Sequence, residues 1–434
     1  MICPLHDCEG NPRKLSTIEF NDLAQLESIE EGYAVEYKST WDDAVKAKLQ
    51  KIITSFANAN GGWLFVGIDN NGVFKGIPRN RADFDQTIAQ IVHRHVTPLP
   101  RFDTRYIVEP GTENGVLVVE VFEGLEPPYI ADGSVFIRVG SSSEKFVSKA
   151  DSYVLIDLHR KARKNRAEIE DFCHRTVFFP PTQVNNGICE YRFPITDVYL
   201  KHLYPSYRPF ISFAEIDEEK KTMLGLLSRC GLDQFICQHA HSSLIFRNDF
   251  GNCVDDVSPA IELFYDGSIK IYLPLSLIQP PDIDMQIERL QSIRQIRNTN
   301  LIRLVDGSNL KSTVITVCFA VDEYISAKSR TLRDYALAYE FENMQGAIMV
   351  FDDPSFEEYA HKYGFPFFST IDERTKPRFF QFDLGMEKGD IAYSVLLRLF
   401  EGFGLPFATT EQGLRSEVDA LLGLTMQMEE PSED

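Results

Sequence analysis

Residues 40–69, TWDDAVKAKLQKIITSFANANGGWLFVGID, change their hydrophobic period midway, and that change constrains the fold more than any other feature. Val45, Leu49, Ile52, Ile53 and Phe56 recur at helical spacing. Thr40 is the expected N-cap, with Asp42 and Asp43 in the first turn, where carboxylates suit the helix dipole. Asn60-Gly61-Gly62 then ends the helix, and the seven residues that follow, WLFVGID, are apolar with little alternation. So short an apolar run reads as a strand covered on both faces. Helix, glycine turn and doubly covered strand together demand a layered domain.

The flanking sequence extends that domain. NDLAQLESI reads as a short amphipathic helix and YAVEYKS as a strand. In that strand Glu36 and Lys38 share one face, and Val35 and Tyr37 take the other. A helix is expected over 83–95. RYIVE, GVLVVEVFE and SVFIRVG read as strands, followed by the helix SKADSYVLIDLHRKARKNRAEI, basic at its end. Beyond it, strands are expected at 189–195, 209–216, 234–247, 260–265, 268–274 and 313–322, with YDGS as a hairpin turn. Helices are expected at 218–229, 284–299, 388–401 and 411–423. The fold class is α+β. A lead over 1–21 precedes a mixed α/β domain over 22–165 and a strand-rich α+β domain over 166–282. A C-terminal mixed region with a frayed tail covers 283–434, with QPPDIDM at its boundary.

Net charge is −20, but it is unevenly spread. Residues 1–164 hold 19 Lys and Arg against 23 Asp and Glu, whereas 165–434 hold 25 against 41. The acidic second part suits a protein-binding or self-regulating role better than a nucleic-acid groove. No run of about 18 apolar residues occurs, so no membrane helix is expected. No secretory signal is recognisable either, and the chain reads as cytoplasmic. Eight scattered cysteines do not make a disulfide scaffold. Cys3, His6 and Cys8, and Cys230, Cys237, His239, His241 and Cys253, lack paired zinc spacing and read as structural. GSNLKST at 307–313 lacks P-loop spacing, so no ATP site is expected.

Four polar residues carry the chemistry. Glu36 and Lys38 lie on the first strand, Asp69 ends the next, and Glu31 sits where the chain enters the first. If the strands are neighbours, the three carboxylates can converge at one edge. Three carboxylates suit Mg²⁺ or Mn²⁺, which take oxygen ligands and keep waters. Such an ion polarises a phosphate and acidifies a bound water, and Lys38 could stabilise the charge that develops. A solvated strand face with an ordinary ion pair fits the same residues. Gly61, Gly62, Gly67 and Gly72 read as turn and close-approach positions, and Asn58 and Asn60 as residues capping or holding the turn, with a substrate contact as the lesser alternative.

EGYAVEYKSTW, ITSFANANGGWLFVGIDNNGVFKGI and PPYIADGSVFIRVGSSSEKF, in that order, resemble the Schlafen-type AlbA-like domain over about residues 22–160. The resemblance implies nucleic-acid binding. In nuclease members two glutamates five apart and an aspartate after the glycine block form a metal-dependent RNA-cleaving site. Those positions fall on Glu31, Glu36 and Asp69, with Lys38 at the accompanying lysine. The implied function is a divalent-metal-dependent endoribonuclease acting on RNA such as tRNA, with a role in phage defence or in stress. The alternative is a non-catalytic DNA- or RNA-binding transcriptional regulator. One copy of the motif is present where vertebrate nucleases pair two lobes, so the second would have to come from a homodimer or be absent. Arg138 and Ser141, beside the Ser-rich loop, are candidate phosphate contacts, although Arg138 could equally pair with an acid on the sheet. Arg160, Lys161, Arg163 and Lys164 form a basic helix end that either tracks a nucleic-acid backbone or is simply solvated.

Overall fold

The structure, a computed structural model, describes residues 3–8, 10, 12–79, 84–139, 146–173, 194–204, 213–248, 258–275, 277–278, 282–294, 303–328, 332–352, 354–368, 373–379 and 389–405. The chain divides into two compact units, Met1–Glu168 and Ile169–Asp434.

The first unit opens with 3-10 helices at Leu15–Thr17 and Phe20–Ser28. The second of these takes the place of the α-helix expected at NDLAQLESI. Its buried apolar residues, Leu23 and Leu26, are three apart, the spacing that the tighter winding aligns. Next come β1 Val35–Lys38, α1 Asp43–Asn58, β2 Gly62–Val66, β3 Ile77–Pro78, α2 Phe84–His95 and β4 Val96–Thr97. β5 Phe102–Val108, β6 Asn114–Val121, β7 Ile130–Ala131, β8 Ser134–Arg138, β9 Val147–Lys149 and α3 Ser152–Cys173, which runs past the boundary at Glu168, complete the order.

β1 pairs parallel to β2, β2 antiparallel to β6, and β5 and β3 also pair with β6. Leu64, Val66, Leu117 and Val119 face Leu49, Ile52, Ile53 and Phe56 of α1 and Ile88 and Val92 of α2. On the other face Val35, Tyr37, Trp63, Phe65, Val116 and Val118 pack with Leu5, Ile18, Leu23 and Leu26 of the lead-in segment. The central strand is therefore covered twice, as its unbroken apolar run requires. Asp42, not Thr40, caps α1. Its carboxylate accepts from the Val45 N–H at 2.9 Å while the Thr40 hydroxyl donates to it at 2.8 Å. A charged acceptor is the better partner for the positive end of the dipole. Gly61 has φ +78°, and a Cβ there would stand 2.6 Å from the Val121 carbonyl oxygen; one on Gly62 would run into the Phe56 ring. Close packing, not a phosphate cradle, accounts for this glycine pair.

The second unit holds β10 Ile195–His202, α4 Phe213–Arg229, β11 Phe235–His239, β12 Ser243–Asn248, β13 Ala260–Phe264, β14 Ile269–Pro274 and α5 Asp282–Ile293. β15 Arg303–Asp306, α6 Gly307–Ala327, β16 Tyr335–Glu342, β17 Ala347–Val350, α7 Pro354–Tyr363, β18 Glu373–Arg374, β19 Arg378–Phe379 and α8 Asp390–Gly402 follow. Eight of its described strands form an antiparallel sheet in the order β11-β12-β13-β14-β10-β16-β18, with β19 also on β16, and β15 pairs parallel with β17 in a separate two-stranded sheet. Val198, Leu200, Ile271, Leu273, Leu337 and Phe341 of that sheet pack against α6 and α8 in one core.

Several expectations fail here. The strand expected at 313–322 is the middle of α6, whose apolar residues are buried almost all round and so carry no helical stripe. Phe213, placed in the strand expected at 209–216, begins α4. The single strand expected at 234–247 is a hairpin, with His239 closing β11 and His241 in the turn. The helix expected at 411–423, most of the strand expected at 189–195, and Cys189 and Cys253 lie outside the described residues. Among those residues no helix is long and apolar enough to cross a membrane.

Candidate functional site

β1 is the edge strand of the first sheet, and its polar face is the one that looks toward α1 and β8. Lys38 Nζ donates to Glu36 Oε1 at 2.6 Å and to the Tyr37 carbonyl at 2.6 Å, and stands 4.0 Å from Glu31 Oε1. Glu31 folds back to accept the Tyr37 N–H at 2.5 Å. Desolvation raises the Glu31 carboxyl above its ordinary value, and the nearby Glu36 charge adds to this against the Tyr37 N–H and Lys38. Glu31, Glu36 and Lys38 thus share one corner.

Arg138 shares it too, from below. Its side chain is 0% exposed, and its guanidinium donates to Glu36 Oε2 at 2.7 Å and to the Gly32 carbonyl, lying 4.4 Å over the Phe56 ring. Of the two roles open to Arg138, the geometry gives it the acid partner, and its enclosed head cannot meet a phosphate. Both Glu36 oxygens therefore already face cations.

Asp69 stands apart. It closes the 69–73 turn by accepting from Asn71 and Val73 N–H at 2.9 and 3.0 Å, and pairs with Lys75 at 3.3 Å. Partial desolvation pushes its carboxyl up, but those N–H groups and Lys75 outweigh it and hold it below the usual range. Among the described residues only Asp197, Glu340 and Glu342 bring three such ligand atoms within 4.8 Å of one another. Glu31, Glu36 and Asp69, as arranged, do not present a three-carboxylate ion site. Neither zinc candidate brings three ligands together among the described residues. Cys3 lies in the core, its thiol pushed up to about 12 by burial, whereas Cys8 is exposed.

The basic helix end divides. Lys161 is half-buried, donates to the Ala59 carbonyl at the end of α1 at 2.7 Å and pairs with Glu123 at 2.7 Å, so it ties α3 down. Arg160 and Lys164 make exposed pairs with Asp157 and Glu168 on their own helix, and Arg163 is exposed. Exposed pairs of this kind are worth about 0–1 kcal/mol, so such cations can exchange partners for phosphate. Ser141 lies outside the described residues.

Sequence reasoning missed the carboxylates of the second unit. Asp197 on β10 sits opposite Glu340 on β16, with Glu342 two residues on. Lys270 of β14 is 3.1 Å from Asp197 Oδ2, the Tyr199 hydroxyl donates to Glu340 Oε2 at 3.0 Å, and Arg374 pairs with Glu340 Oε1. Burial, with Glu342 and Glu340 close by, raises the Asp197 carboxyl to about 6 despite Lys270. The folded value thus exceeds the unfolded one of about 3.9, so this group's contribution to stability is complete below about pH 4 and is lost as pH rises through 6. Thermal melts in EDTA should accordingly show Asp197→Asn removing part of the stability loss between pH 5 and pH 7; identical pH slopes would refute the assignment. The E-x-E pair at 340–342 inside an apolar stretch was the available signal, but its partner is 143 positions upstream.

A mixed sheet with α1 and α2 on one face, the lead-in segment on the other and a buried arginine at its polar edge makes up this first unit. Residues 31–147 match the Schlafen, AlbA_2 family. The match lies wholly inside the first unit, and the family points to nucleic-acid binding. No curated protein matches the chain. Among solved structures it is similar to the DIP2311 protein from Corynebacterium diphtheriae, at 14% identity over 62% of this chain and 75% of that chain, with a TM-score of 0.24. A likeness that low carries nothing about fold or activity.

Proposed function

We propose that this chain binds nucleic acid, RNA ahead of DNA, through its first unit. The match to the Schlafen, AlbA_2 family over 31–147 carries this reading. Exposed Arg160, Arg163 and Lys164 on α3, in the same unit, supply cations for a phosphate backbone. Cleavage is the second reading, favoured by the convergence of Glu31, Glu36 and Lys38 at one corner. For Mg²⁺ or Mn²⁺ to be held there, Asp69 must leave Lys75.

Labelled tRNA, single-stranded RNA and duplex DNA, each with Mn²⁺ or EDTA, test both readings. Binding should survive EDTA and weaken with salt. The Arg160→Ala/Arg163→Ala/Lys164→Ala variant should lower the salt slope by up to about 3. An unchanged slope would remove α3 from the interface, and no binding to any probe would overturn the proposal. Mn²⁺-dependent cutting lost in Asp69→Asn would establish the nuclease; intact RNA throughout would leave a binding protein or regulator.

A further inference from the structure

We propose that Asp197, Glu340 and Glu342 form a divalent-cation site in the second unit, distinct from the Glu31–Glu36–Lys38 corner and taking a hard, oxygen-preferring ion of the Mg²⁺ or Mn²⁺ class. The three side chains place ligand oxygens within 4.8 Å of one another on adjacent strands. Proximity of carboxylates is not in itself a site. A second observation points to a ligand: Asp197 is only 7% exposed, and its Oδ1 has no hydrogen-bond partner among the described residues. A buried anionic oxygen left bare is costly, and a cation at the cluster would satisfy it.

The neighbouring cations do not fill this role. Lys270 is directed to Asp197 Oδ2, while Arg374 and the Tyr199 hydroxyl occupy the two Glu340 oxygens. Asp197 Oδ1 and the half-buried Glu342 carboxylate remain to lead an ion into the cluster. Three carboxylates and no sulfur or imidazole select against Zn²⁺ or Cu²⁺. Three carboxylates offering one oxygen each are too few for a full Ca²⁺ shell of six to eight oxygens and suit a smaller octahedral ion that keeps waters. Asp197 and Glu340 are both buried, so the ion braces the β10–β16 pair and is not presented to a polymer substrate.

The full chain, stripped with EDTA, should be titrated with Mn²⁺ and followed by calorimetry and thermal melting. One ion per chain is expected. Its melting temperature should rise by roughly 5–10 °C at a hundredfold excess over the dissociation constant. Glu342→Gln, at a half-buried position where folding is retained, should abolish both signals, as should Asp197→Asn. Asp69→Asn and Glu31→Gln should leave both intact. No binding, or binding lost through Asp69 or Glu31 and kept in Glu342→Gln, would overturn the proposal.

Discussion

Replacing Glu36 with alanine is expected to lower the unfolding free energy of the first unit by about 3–5 kcal/mol, because it strands a buried charge. Arg138 would keep an enclosed guanidinium over Phe56, with only the Gly32 and Val35 carbonyls among the described residues to accept its protons. Both tryptophans of the chain, Trp41 and Trp63, lie in this unit, so tryptophan emission during denaturant unfolding follows it separately from the second. The midpoint should move to lower denaturant at constant slope. A solvated pair would lose about 0–1 kcal/mol, and a loss in that range would refute the strut assigned to Arg138. Glu36→Ala/Arg138→Met should be less destabilised than Glu36→Ala alone, since removing both charges leaves nothing uncompensated. Loss of function in Glu36→Ala is consequently ambiguous. Asp69 and Lys38, whose side chains reach solvent, are the positions at which chemistry can be probed with the fold intact.

The legibility of this chain follows its burial. The first unit was readable because its sheet has two distinct covers: β1 alternates, α1 shows a clean stripe, and β2 shows neither, as a doubly covered strand should. The position of α6 could not be read in the same way. Its segment STVITVCFAV is β-branched and buried almost all round, so it imitates a strand. The helix is revealed by Asp306, which caps Ser308 and Asn309, and by a length no strand would reach. The candidate site was half legible. Glu36 and Lys38 share a face as the alternation dictates, and Glu31 joins them. The arginine that neutralises Glu36 arrives from β8, 102 residues later; an acid on the sheet was one of its two readable roles, but no local pattern says which acid. Asp69 was placed by strand ends alone. Its own turn, closed through Asn71 and Val73, claims the carboxylate first, as aspartates in tight turns commonly do.

Asn58→Ala should be at least as damaging as Glu36→Ala, at roughly 3–9 kcal/mol if each of the three stranded groups contributes about 1–3 kcal/mol. Asn58 is 4% exposed and makes three hydrogen bonds across the unit. Its Nδ2 donates to the Tyr129 and Phe136 carbonyls at 2.8 and 2.9 Å, and its Oδ1 accepts the Tyr129 N–H at 2.7 Å. The last turn of α1 is thereby fastened to β8 and the segment leading into β7. Alanine would leave one N–H and two carbonyls buried without partners. Asn58→Asp preserves the acceptor but sets a carboxylate against two carbonyl oxygens, so it should be no better near pH 7. Because β8 also carries Arg138, loosening this clamp should weaken the Glu36 contact, and the two substitutions should destabilise by less than their sum. A substrate-contacting Asn58 predicts the reverse pattern: unchanged denaturant midpoints and weaker RNA binding. Strict additivity with Glu36→Ala would show that the clamp and the charged corner are independent, and that Arg138 is held by Phe56 and β9 without help from Asn58.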